Sequence, residues 1–193
     1  MAQKITTLLD KGEIPQDFRV ENIVEIAKNM NRFEILSDTK KDFREAISVR
    51  IQADDPQCLI TNNNFNQTLS PTDFTLIDDV DLGEATVYAI GNDAPSTESL
   101  LHFGIYAQRD DVNAIIQGHS HQIMGQSDAP CTSQEQETSS ISLVEEVMNL
   151  TEMSDFVIIK NMGFISLGKS LKQAWINVLK QLNLPEEALK EFY

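Results

Sequence analysis

The chain has 193 residues, enough for one substantial hydrophobic core, and nothing in its length demands a second. Hydrophobic residues make up 41% and charged residues 23%, the balance of a folded globular protein rather than a disordered one. Thirty carboxylates against fifteen Lys and Arg give a formal net charge of −15, which argues against nucleic acid or an anionic membrane as the main partner.

Cys58 and Cys131 lie far apart with no C-x-x-C spacing, the pattern of two reduced thiols rather than a disulfide framework. The amino terminus carries too short an apolar stretch for a signal peptide, and no later run approaches a membrane span. The expectation is a cytoplasmic protein.

In chain order, residues 3–10 read as a short helix stopped by Gly12 and Pro15. Ile23, Val24, Ile26, Ala27, Met30 and Phe33 recur at spacings of three and four and predict an amphipathic helix over 20–36. Residues 46–52 alternate apolar and polar, and 57–61 form a second short run, so Asp54-Asp55-Pro56 reads as the turn between two strands. Asn62-Asn63-Asn64-Phe65-Asn66 is a polar loop able to bond its own backbone. Strands follow at 74–78 and 85–90.

The stretch from Pro95 to His121 concentrates the chemistry, because it holds Glu98 and all three histidines, His102, His119 and His121. Pro95-Ser96-Thr97-Glu98 reads as a helix start, with Ser96 or Thr97 capping the free amides and Glu98 complementing the dipole. Glu98, His102 and Tyr106 then share one helical face at i, i+4 and i+8, while Leu101 and Ile105 face the core. His102 and Tyr106 read as packing and hydrogen-bonding residues. Asn113 to His119 suits a buried strand, and if it continues, Gln117, His119 and His121 point the same way. From there to Ser140 the chain is rich in Gln, Ser, Thr and Glu. It reads as a mobile loop of about 15 residues, 126–140, a length that suggests either a functional lid or local disorder.

Residues 141–150 return to a helical period, 155–160 and 163–167 form a core hairpin, and 170–182 are the clearest helix, with Leu171, Ala174, Trp175, Val178 and Leu179 on one side. A last short helix follows Pro185. The order of elements indicates an α/β or α+β domain with a mixed sheet.

Three separated segments resemble the class II aldolase/adducin family: Ile47-Ser-Val-Arg50 with Leu59-Ile-Thr61, the run from Pro95-Ser-Thr-Glu98 through His119-Ser120, and Asn161-Met-Gly-Phe-Ile-Ser-Leu-Gly168. The resemblance implies one domain over 1–193, a three-layer αβα fold around a central mixed, largely antiparallel sheet. It also implies a cyclic homotetramer with its site at a subunit interface, acting on a small-molecule substrate. Such enzymes hold zinc with a His-x-His pair and a third His, use a glutamate to move the proton, and bind the substrate's phosphate at the helix start. On that pattern Glu98 takes the acid/base place, Ser96 and Thr97 the phosphate place and His119 the second zinc place. Gln117 and Met162 stand where the other two zinc histidines would be, and Glu45-Ala46 replaces an early Gly-Asn. Neither Gln nor Met is a good zinc ligand, so a metal bound in the family's manner is not the expectation. The alternative is a zinc site rebuilt from His119 and His121, completed by Glu98, Cys131 or a neighbouring subunit. The implied activity is an aldolase-like lyase, cleaving a carbon–carbon bond or removing a proton beside a carbonyl of a sugar phosphate or hydroxy-carbonyl compound. The competing implication is a catalytically silent binding or assembly module.

Overall fold

The computed structural model describes residues 5–35, 45–63, 65, 69–133 and 140–184. Its frame is an eight-stranded sheet with the order β1-β5-β4-β3-β2-β6-β8-β7. The strands are β1 (Thr6–Asp10), β2 (Ala46–Arg50), β3 (Cys58–Thr61), β4 (Phe74–Asp81), β5 (Thr86–Ile90), β6 (Ala114–Gly118), β7 (Phe156–Ile159) and β8 (Gly163–Gly168). Every neighbouring pair is antiparallel except β1 with β5, which makes the sheet mixed and largely antiparallel as expected.

Helices α1 (Arg19–Arg32), α2 (Ser99–Gln108), α3 (His121–Gln126), α4 (Ile141–Thr151) and α5 (Leu171–Gln181) cover both faces. One core joins α1, α3 and α5 to the sheet through residues such as Ile23, Met30, Ile116, Phe164, Trp175 and Val178. The other joins α2 and α4 through Leu101, Ile105, Val144, Val147, Ile115 and Ile165. Alternate residues of β6 serve the two cores, which is the strand's period of two acting between two helical layers. The result is the three-layer αβα arrangement.

Two segments differ from the sequence reading. Residues 3–10 are not helical: Thr6–Asp10 form β1, paired in parallel register with β5 from Thr6–Thr86 to Asp10–Ile90. Two β-branched threonines and too few residues for a stable helical nucleus leave pairing with a sheet edge as the better outcome. The strand before His119 ends at Gly118, and Ser120, extended at φ −152°, accepts a hydrogen bond from the Ile123 amide (3.5 Å) to start α3. His121 therefore opens a helix and does not continue the strand. Of the loop expected over 126–140 only Gln126 belongs to α3, residues 134–139 lie outside the described residues, and so does the helix expected after Pro185. The alternation in β2 does not mark a solvated face, because all five residues are buried in a strand central to the sheet.

Serine caps set the starts of α4 and α5, Ser140 accepting from Leu143 N and Ser170 from Gln173 N, each worth about 1 kcal/mol. The β7–β8 hairpin turns through Asn161, whose φ of 62° lies in the left-handed region that asparagine tolerates better than most residues.

Candidate functional site

The start of α2 is held against the end of β3. Ser96 N donates to Thr61 O (3.1 Å), Asn63 N to Ala94 O (3.1 Å), and Asn62 bridges to Pro95. The helix begins one residue later than the cap reading required. Glu98 occupies the cap position with helical φ and ψ, and its own side chain makes no capping hydrogen bond among the described residues. Ser96 instead accepts from the Glu98 amide (3.3 Å), and its carbonyl accepts from Ser99 N (3.1 Å) and Ser99 Oγ (2.5 Å). Ser96 and Glu98 are buried and Thr97 is exposed. The Thr97 hydroxyl donates to Glu98 Oε1 (3.3 Å). Glu98, Ser96 and Thr97 therefore lie together at the start of α2.

One and two turns further along α2 lies a buried polar chain that only partly showed in the sequence. Ser48 Oγ on β2 is 2.8 Å from His102 Nδ1 and 2.8 Å from the Tyr106 hydroxyl, and His102 Nε2 is 3.2 Å from Gln117 Oε1 on β6. All four residues have no exposed surface. An amide oxygen can only accept, so His102 carries its proton on Nε2 and its Nδ1 accepts from Ser48. Burial pushes the His102 pKa down to about 4, offset in part by the Gln117 hydrogen bond, and burial raises that of Tyr106 well above the ordinary phenol value. Both groups are thus neutral at pH 7. The i, i+4 spacing of His102 and Tyr106 signalled that they share a face, but nothing in the sequence indicated that Ser48 would sit between them.

At the other end of α2, Arg50 collects carbonyls. It donates to Val112 O (2.9 Å), Asp55 O (2.9 Å), Tyr106 O (2.7 Å) and Arg109 O (2.7 Å), with its guanidinium 5.0 Å from the Tyr106 ring centre. This satisfies helix C-terminal carbonyls and complements the dipole there, and it locks α2 to β2.

His119 lies just past β6. Its amide donates to Ile35 O (3.0 Å) and its Nδ1 to Met162 O (2.7 Å), so Nε2 keeps the free lone pair of the neutral ring. The His121 ring stands edge-on at 4.8 Å between ring centres, and His121 is exposed.

The residues at the three zinc places do not suit zinc. Gln117 spends its only ligating oxygen on His102, Met162 offers a thioether from within an apolar cluster, and only His119 presents a nitrogen lone pair. The His119 and His121 rings, proposed from the sequence as a pair of ion ligands, stand 4.8 Å apart between centres. Among the described residues, however, no group of three or more His, Cys, Asp and Glu is arranged to hold one. An acidic surface cleft of about 740 Å³ at the β1–β5–β4 edge, with Asp10, Asp78, Asp79 and Asp81 in its wall, shares no residue with this site. Its clustered carboxylates would repel a phosphorylated ligand.

Solved structures with the same fold include an L-fuculose 1-phosphate aldolase. It is 16% identical with a TM-score of 0.68, over 92% of this chain and 95% of that one. A sugar-phosphate aldolase from Thermotoga maritima is 16% identical with a TM-score of 0.68, over 89% of this chain and 93% of that one. An L-fuculose-1-phosphate aldolase from Thermus thermophilus is 15% identical with a TM-score of 0.62, over 90% and 94%. No curated protein matches the chain in sequence. The fold is therefore that of the aldolases, and among the described residues no helix is long and apolar enough to cross a membrane. Residues 43–181, from just before β2 to the end of α5, match the sequence profile described as Class II Aldolase and Adducin N-terminal domain, and the chain belongs to that family.

Proposed function

We propose that the chain is an aldolase-like lyase acting beside a carbonyl of a small sugar-phosphate or hydroxy-carbonyl substrate, with Glu98 as the acid/base group. The observation that carries this reading is the placement of Glu98: 4% exposed, at the cap position of α2, with Ser96 and Thr97 immediately before it. A buried carboxylate at a helix start lies next to the amides and hydroxyls that suit a phosphate, so the group that moves a proton and the groups that hold the substrate share one corner. In the cleavage direction Glu98 takes the proton of the substrate hydroxyl, whose O–H electron pair forms the carbonyl of the departing aldehyde as the carbon–carbon pair passes into an enolate. Glu98 then returns a proton to the carbanionic carbon.

The residues at the zinc places do not suit the metal, so the proton transfers rest on Glu98. The same reading treats 1–193 as one cytoplasmic domain assembled as a tetramer, which sedimentation of the purified chain tests.

The deciding experiment follows deuterium uptake from D2O at the carbon beside the carbonyl of dihydroxyacetone phosphate, by proton NMR. Wild type should catalyse exchange, and Glu98→Gln should lose at least about a hundredfold of it, the usual contribution of a positioned acid/base group. Equal rates for the two proteins would sink the assignment of Glu98. Absence of exchange in wild type, with this probe and a panel of short hydroxy-carbonyl phosphates, would favour the second reading, a silent binding or assembly module. That reading is supported by Gln117 and Met162 standing at the zinc places.

A further inference from the structure

The polar chain between α2 and the sheet ends in an unused donor. Gln117 has no exposed surface, its Oε1 accepts from His102, and its Nε2 has no hydrogen-bond partner among the described residues. A buried amide N–H without an acceptor is rare in a native fold and calls for an explanation. The neighbours explain why the protein itself supplies none: Gln117 sits opposite Ala46 on β2 and Ile165 on β8, and neither side chain carries an acceptor.

The direction of the chain fixes which end is left over. With Tyr106 donating to Ser48, Ser48 to His102 Nδ1 and His102 Nε2–H to Gln117, the hydroxyls, the ring and the amide oxygen are all satisfied, and only the Gln117 amino group remains. Reversing every bond would leave the Tyr106 O–H, one Gln117 N–H and the Gln117 oxygen without partners. The forward direction therefore wins. Because burial keeps His102 neutral, it persists throughout the ordinary pH range.

We propose that Gln117 is a catalytic residue of the site assigned above. Its side-chain N–H donates a hydrogen bond to the substrate's carbonyl oxygen and stabilises the negative charge that gathers there, the work that family resemblance assigns to a zinc ion. This rests on the aldolase-like reading of Glu98. When Glu98 takes the proton from the carbon beside the carbonyl, the C–H electron pair becomes the C=C bond and the carbonyl π pair moves onto oxygen. Gln117 keeps its protons and supplies only the hydrogen bond. Return of a proton from Glu98 to carbon closes the cycle, so no oxidant or co-reactant is needed. A fixed donor in a water-excluded place needs no reorganisation as charge develops, which is what gives such a bond its catalytic value. Ser48, His102 and Tyr106 are positioning residues that hold the carboxamide in one orientation. Because Gln117 is sealed from solvent, a ligand must move the side chains covering it, and slow association is part of the expectation.

The test uses the full chain in EDTA with dihydroxyacetone phosphate as the probe. In wild type, the side-chain amide resonances of Gln117, assigned through their proximity to the His102 ring, should shift on saturation with the probe, and they should shift equally in Glu98→Gln. Gln117→Met should lower the deuterium-exchange rate about 100- to 1,000-fold with less than a tenfold change in the half-saturating probe concentration, the signature of a bond made mainly in the transition state. Any one of three outcomes overturns the proposal: unmoved Gln117 resonances at saturation, exchange in Gln117→Met within threefold of wild type, or exchange that EDTA abolishes and zinc restores. Should wild type show no exchange at all, the lyase reading fails by itself. The Gln117 resonances then decide separately, a shift supporting a ligand-facing donor and no shift refuting it.

Discussion

Acid should unfold this protein in part through one histidine. His102 is wholly buried between Ser48 and Gln117, and burial moves its pKa from 6.5 to about 4. The folded value lies below the unfolded one, so the folded state prefers the neutral ring. That stability is fully present above pH 6.5 and drains away as the pH falls towards 4, where the folded ring also takes up a proton. At about 1.4 kcal/mol per unit, a depression of this size corresponds to roughly 3 kcal/mol, a sizeable fraction of a typical domain's stability. The measurement is urea unfolding between pH 7.5 and 4 on wild type and His102→Gln, because the difference between the two curves cancels the titration of the many carboxylates. Wild type should lose roughly 3 kcal/mol more than the variant between pH 6.5 and 4, and the His102 ring protons should titrate well below those of an exposed histidine. Parallel curves, or a His102 titration near 6.5, would refute the argument that burial dominates at this ring.

Arg50→Met should cost roughly 3 kcal/mol or more in urea unfolding, since four carbonyls lose one shared donor at the end of α2; a loss under 1 kcal/mol would mean that water replaces it without penalty. Gly168→Ala should destabilise by about 1–3 kcal/mol or more, because a Cβ there would stand 2.4 Å from Ala174 N and 2.7 Å from Ser170 O, both backbone atoms that cannot turn aside. A double variant, Gln117→His with Met162→His, should raise zinc content towards one ion per chain, measured by elemental analysis, and the gain should vanish when His119→Ala is added. Metal uptake indifferent to His119 would show that these three positions do not converge on one ion.

The fold was legible where the hydrophobic period was long and uninterrupted. α1, α5 and the β7–β8 hairpin follow from runs of apolar residues that only one element type can bury. It was less legible where tertiary pairing decides: Thr6–Asp10 has no period of its own and takes its form from β5, and Ser120 stops β6 by a capping bond that competes with strand continuation. The corner of Ser96, Thr97 and Glu98 followed from adjacency in sequence. The Ser48–His102–Gln117 connection did not, because it joins β2, α2 and β6 through side chains whose meeting depends on strand order.

The outermost strand has a consequence for how the chain comes apart. β1 precedes the family-matched segment, its side chains are almost all exposed, and its attachment to β5 is chiefly a ladder of backbone bonds. Such a latch releases before the two cores yield, so its amides should exchange with solvent at the low end of the molecule's range of opening energies. Its release would bare the edge of β5, and a bare sheet edge recruits strands from other chains. Mild heating or low denaturant should thus drive self-association while the α2–β6 corner is still folded, and loss of solubility would be a poor proxy for loss of the site.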